Sequence, residues 1–202
     1  MMGRVNPWLS MWTQPRHTVR SLLQIHPKYG VFPLAAIYAL QSLLYFANYW
    51  SLGISFRFYA ILITAIVASP IVGAIWLYVS SWVFYCTGRW LSGKASAPQL
   101  RVAVAWSKIP TSINLLMWVA LLIAHSDYVF ILDAGGPSSL FINFITLILG
   151  VWSLVLLIQS IREVQYFSIA RALVNVFLEW IFSSLLFFIA FAIFRYFYIL
   201  TF

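Results

Sequence analysis

The sequence predicts an all-α polytopic membrane protein: a bundle of five transmembrane helices behind a short amphipathic N-terminal segment, with residues 1–202 forming one membrane domain. Three observations carry this prediction. Of the 202 residues, 63% are hydrophobic and 8% charged, whereas a soluble domain carries about 25% charged residues. The apolar residues come in runs of about 20, the length that crosses a ~30 Å hydrocarbon core. The lysines and arginines fall between those runs with an alternating bias that orients the chain.

A net charge of +8 therefore bears on topology and on anionic lipid, and nucleic acid is discounted as a partner. Cys86 is the single cysteine. It has no partner for a disulfide or for a zinc motif and reads as a small apolar filler near a helix end.

Residues 1–28 read as an interfacial cytoplasmic segment. Asn6-Pro7 before Trp8-Leu9 supplies an N-cap and a first-position proline. Thr13 to Arg16 repeats that punctuation, and Pro15 opens a second short helix. There Val19, Leu22, Leu23 and His26 share one side while Arg16 and Arg20 share another. Such a pair either lies in the head-group layer or caps the bundle from below, and the two roles are compatible. The apolar character is interrupted by Asn6, Gln14, Pro15, Arg16, Arg20 and Pro27, so no signal peptide is expected.

The first span is expected at 31–50, closed by the aromatic Tyr45, Tyr49 and Trp50. Its amides Gln41 and Asn48 suit bridges to neighbouring helices. The second, 58–86, exceeds what one bilayer needs, so it should tilt, bend or project. Ser69-Pro70 is expected to bend it, and Gly73, Ala74, Ser80 and Ser81 allow close helix contact. Residues 87–101, with Gly88, Arg89, Gly93, Lys94, Pro98 and Arg101, read as a basic loop. The third span, 102–125, carries Lys108, Pro110 and Asn114 and ends near His125-Ser126-Asp127. The fourth is placed at 140–160. Ile161 to Arg171 reads as a connector, and the fifth span at 173–195.

This topology puts Arg4, Arg16, Arg20, Lys28, Arg89, Lys94, Arg101, Arg162 and Arg171 on one side and Arg57 and Arg195 on the other. Nine against two places the N-terminus in the cytoplasm and the C-terminus outside.

Two ionisable residues fall inside spans. Lys108 lies about 10 Å along its helix from Arg101, and Glu179 about 12 Å from Arg171. Opposite charges at one depth are natural partners. Arg171, Asn175 and Glu179 follow at i, i+4 and i+8 and form a polar stripe. With Asn114 these residues make a candidate intramembrane polar site, either a cavity open to the cytoplasm or an ion pair fixing helix three against helix five. Catalytic signatures are missing: no HExxH, no GxSxG, no nucleotide-binding glycine loop and no close carboxylate pair. No enzyme activity and no cofactor are expected. His125, Asp127 and Asp133 would be the metal candidates, but their spacing matches no defined site and no metal is expected.

Asn6-Pro7-Trp8, Trp12, Pro15-Arg16, Thr18 and Arg20 resemble the opening of prokaryotic members of the Yip (Ypt-interacting protein) domain family. Trp106-Ser107-Lys108-Ile109-Pro110 is similar to the aromatic-Ser-X-X-Pro pattern that starts the third span in that family. The likeness covers nearly the whole chain and implies a membrane protein without established enzymatic activity. Eukaryotic relatives are linked to Rab-type GTPases, vesicle trafficking and membrane shaping. Their longer N-terminal cytoplasmic region and Asp-Leu-Tyr-Gly-Pro motif have no counterpart here, which points to the cytoplasmic membrane of a prokaryote.

The expected role is membrane organisation or a trafficking-like function. It would act through a basic cytoplasmic face on anionic lipid head groups, with a second copy or another membrane protein as partner. The alternative is a small transporter, channel or lipid-moving protein that uses a polar cavity near Lys108 and Glu179.

Overall fold

Proline and asparagine set the first corner. Asn6 caps helix α1 (Pro7–Thr13), its Oδ1 accepting the Trp8 N–H at 3.1 Å. Pro15 opens α2 (Pro15–Ile25), where the Thr18 hydroxyl bonds back to the Gln14 carbonyl at 2.9 Å and to Ser10 at 2.8 Å. The computed structural model describes residues 6–124, 128–132 and 136–201, which are helical with no strand among them. His125, Asp127 and Asp133 lie outside the described residues.

Gly30, at φ +69°, turns the chain into α3 (Val31–Tyr49). A short 3₁₀ turn then leads to α4 (Phe58–Trp90). The expected break at 87–101 is mostly helical. Helix α4 continues through Gly88, and α5 (Ala97–Ser107) starts early because Pro98 occupies its first turn and the Gln99 side chain accepts the Ser96 N–H at 2.8 Å. Next come α6 (Ile109–Ser112), α7 (Asn114–Ala124), α8 (Gly136–Gln165) and α9 (Ile169–Thr201). The connector expected at 161–171 also shrinks, since α8 runs to Gln165. It stops there with Tyr166 at φ +59° and the Phe167 N–H on the Arg162 carbonyl, a Schellman-type end.

Helices α3, α4, α8 and α9 each contain a stretch long and apolar enough to cross a membrane. A fifth span is added when α5 and the α6–α7 stretch, bent by 46° at Lys108, count as one. Helix α4 is unbroken through Pro70. Proline removes the N–H that would reach the Ile66 carbonyl, and the Ser69 hydroxyl donates to that carbonyl instead, at 2.9 Å.

Helices α3 and α4 share the most extensive interface. Their ring pairs Tyr38–Trp76 and Phe32–Tyr78 set the register. Helix α3 therefore begins beside Tyr78, and α4 runs twelve residues further to Trp90, about 18 Å. That overhang, with α5, the end of α8, the start of α9 and the docked α2, encloses the larger hydrophobic core around Leu77, Phe84, Leu100, Trp106 and Ile161. A smaller core around Leu44, Ala65, Trp118 and Phe130 closes the far end. There Asn48 bonds the Val129 carbonyl at 2.8 Å, so this amide bridges to a loop instead of a helix.

Gln165 ties the overhang together. Its Nε2 donates to the Phe84 carbonyl at 3.3 Å and its Oε1 accepts the Ala95 N–H at 3.1 Å. The side chain lies where a Cβ on Gly88 or Gly93 would stand. These glycines make room for a buried amide. Gln165→Ala should destabilise the protein by about 1–3 kcal/mol for each group orphaned. Reversible unfolding in SDS measures this, and a change below about 0.5 kcal/mol, the level of an ordinary surface substitution, would contradict it.

Candidate functional site

Pro110 has no N–H to give and the span breaks just before it, so carbonyls near the break need other donors. The Lys108 carbonyl accepts the Ser112 N–H at 3.0 Å and adds the Thr111 and Ser112 hydroxyls at 2.8 and 3.0 Å, while the Ser107 carbonyl takes the Ser153 hydroxyl of α8 at 2.8 Å. Beside this break lies a cleft of about 410 Å³ between α3, α6–α7 and α8. Tyr38, Gln41, Ser42 and Tyr45 line it from α3, Lys108, Thr111 and Asn114 from the break, and Thr146, Gly150 and Ser153 from α8.

The Lys108 ammonium stands 4.8 Å from the Tyr38 ring centroid and 5.6 Å from that of Trp76, a cation–π seat that suits a desolvated charge. No carboxylate pairs with it among the described residues.

The five residues expected to form one polar site divide into separate places. Lys108 and Asn114 face the cleft. Glu179 is buried between α9 and α4, its Oε1 accepting from Ser80 at 2.7 Å and from Ser183 at 2.9 Å. Asn175 donates to Thr87 at 2.7 Å. Arg171 is exposed in the first turn of α9. Matching depth places Lys108 and Glu179 on one level but does not aim them at each other, and the expected ion pair does not form.

The ion pair that does form joins residues read separately in the sequence. Arg16 and Arg20, one turn apart on α2, donate to the two carboxylate oxygens of Glu163 at 2.9 and 2.7 Å. Glu163 is 7% exposed and its partners about half. Both arginines belong to the motif at the N-terminus, whereas Glu163 falls in the stretch that reads as a connector. The available signal was that Glu163 is the one acid among the bases of that side.

The two motif stretches meet. Trp106 is fully buried, its ring 5.3 Å from that of Trp8 and 6.0 Å from that of Tyr29, and its Nε1 donates to the Tyr29 carbonyl at 3.1 Å. Asn6 and Pro7 hold α1 so that Trp8 reaches Trp106. Trp12 packs partly buried on the same core, and Pro15 and Arg16 set the α2 clamp. Ser107 and Pro110 shape the break. The motif residues thus fix the α1–α2 corner on the broken helix.

A family model described as the Yip1 domain matches residues 9–199. No curated protein and no solved structure matches the chain.

Proposed function

Because the chain belongs to the Yip1 domain family, we propose that it is a non-enzymatic membrane-organising protein whose basic cytoplasmic face gathers anionic lipid head groups. The observation that carries this reading is the charge at the overhanging end of the bundle. Lys28, Arg89, Lys94 and Arg171 are exposed there, and Arg89 and Arg101 lie over Tyr85 and Tyr78. Glu163, the one acid at that end among the described residues, is engaged by Arg16 and Arg20.

A second cleft, of about 430 Å³, opens between the α1–α2 corner and α8, with Arg16 and His17 on its wall. It suits a head group held at the membrane surface. The positive-inside bias supports the overhang facing the cytoplasm, with the C-terminus outside. A transporter using Lys108 and Glu179 together has less support, since the two belong to different polar clusters and Glu179 does not line the Lys108 cleft.

The test is lipid retention during purification from a mixed anionic and zwitterionic membrane. Each surface base contributes about 1 kcal/mol toward anionic lipid. The triple variant Arg89→Gln, Lys94→Gln, Arg171→Gln should therefore hold anionic lipid on the order of a hundredfold more weakly, with a shallower salt dependence. Equal retention of both lipid classes by the native chain, or an unchanged triple variant, would remove the reading.

A further inference from the structure

Buried side-chain amides are almost always hydrogen-bonded. Asn114 is 0% exposed, yet neither its Oδ1 nor its Nδ2 has a partner, and the Oε1 of buried Gln41 has none either. Exchanging the amide O and N of Asn114 changes nothing, because both positions are empty-handed. Both residues line the cleft at the break, beside a Lys108 ammonium held by the rings of Tyr38 and Trp76, with no carboxylate in an ion pair with it among the described residues.

The cleft also has room. At about 410 Å³ it falls within the ~300–1,000 Å³ range of ligand pockets, against ~30 Å³ for one water. A Cβ added at Gly150 would meet nothing within 4 Å, so this wall of the cleft stands open.

We propose that the cleft binds a phosphate oxyanion, Lys108 facing its charge, the Asn114 Nδ2 donating to one of its oxygens, and the amide oxygens of Asn114 and Gln41 accepting from its P–OH or from a neighbouring hydroxyl or amine. The phosphate belongs either to a lipid head group or to a small soluble ligand. This site is separate from the basic end and does not depend on the reading given to that end.

The full-length chain in neutral detergent is titrated calorimetrically with inorganic phosphate and, separately, with short-chain phosphatidylglycerol. The native chain should bind at least one probe. Lys108→Met should weaken that binding by about tenfold to a hundredfold, the scale of one charged hydrogen bond. Gly150→Leu fills the open wall without changing charge, so a similar loss separates the cleft from the basic end, and this variant decides the matter should Lys108→Met fail to fold. Binding of the lipid alone assigns the phosphate to a head group; binding of inorganic phosphate assigns it to a soluble ligand. Binding of neither probe by the native chain, or native-like binding by Gly150→Leu, would overturn the proposal and leave the cleft to water.

Discussion

Trp106→Ala is expected to lower the unfolding free energy by about 3–5 kcal/mol through the cavity it leaves, with a further cost of about 1–3 kcal/mol for the Tyr29 carbonyl that loses its donor. The indole is fully buried where α1, α3 and α5 converge, and it touches Trp8, Tyr29 and the Gly30 backbone. A Cβ at Gly30 would stand 2.9 Å from the ring, so on that side the cavity wall is a residue with no side chain to fill the space. Packing of this kind carries more of the stability in a membrane bundle than in water, because lipid tails offer little hydrophobic drive between helices.

Trp106→Phe separates the two contributions. It keeps a ring and loses the N–H bond, so it should cost about 1–3 kcal/mol. Reversible SDS unfolding of both variants is the measurement. An alanine variant within about 1 kcal/mol of the native chain, well below the cost of a core truncation, would mean that the two motif stretches are not coupled through this ring.

The residues of that junction were legible in the sequence and their contacts were not. Helices could be read because apolar runs of about 20 residues admit few other structures in lipid. Their ends were harder. Gly88 and Gly93 read as breakers, yet Gly88 is helical and both make room for Gln165, a residue 72 positions or more further along the chain. Pro70 lies inside α4 without ending it, and the hydroxyl one residue before it serves the freed carbonyl.

The candidate polar residues are instructive in another way. Depth along a helix follows from 1.5 Å per residue, so Lys108 and Glu179 were placed on one level. Rotation about each helix axis depends on packing angles the sequence does not state, and it turns Glu179 toward Ser80 and Lys108 toward Tyr38 and Trp76. Asn114 was legible as an anomaly in lipid. That its neighbour across the cleft would be Gln41 was not, because their apposition depends on how α3 lies against the broken span.

Gly73→Val should be the most damaging single change on the α3–α4 interface. An ideal Cβ at Gly73 would lie 2.5 Å from the Ala35 carbonyl oxygen, 2.7 Å from its carbon and 2.9 Å from the Ala36 nitrogen. These are backbone atoms, so no rotamer relieves the contact, and the helices must part by roughly 1 Å to restore a normal C···O separation of about 3.3–3.6 Å. Overpacking costs about 1–3 kcal/mol in general. Here the upper end or beyond is expected, because parting the two helices loosens the whole line of contacts that small residues make possible in a membrane. Ala35→Gly in the same chain should give no rescue, since the clash involves the peptide and not the methyl. Gly150→Ala is the contrasting control. Open space surrounds that position, and replacing a mid-helix glycine there should be neutral or stabilising by up to about 1 kcal/mol. The displacement in Gly73→Val also reaches the cleft, because Tyr38 rides on α3 and Trp76 on α4, with ring centroids 4.5 Å apart. Moving them separates the two faces that seat the Lys108 ammonium, so the variant should lose stability and phosphate binding together. A Gly73→Val chain that melts with the native protein would mean that α3 and α4 do not approach as closely as the Ala35 carbonyl requires.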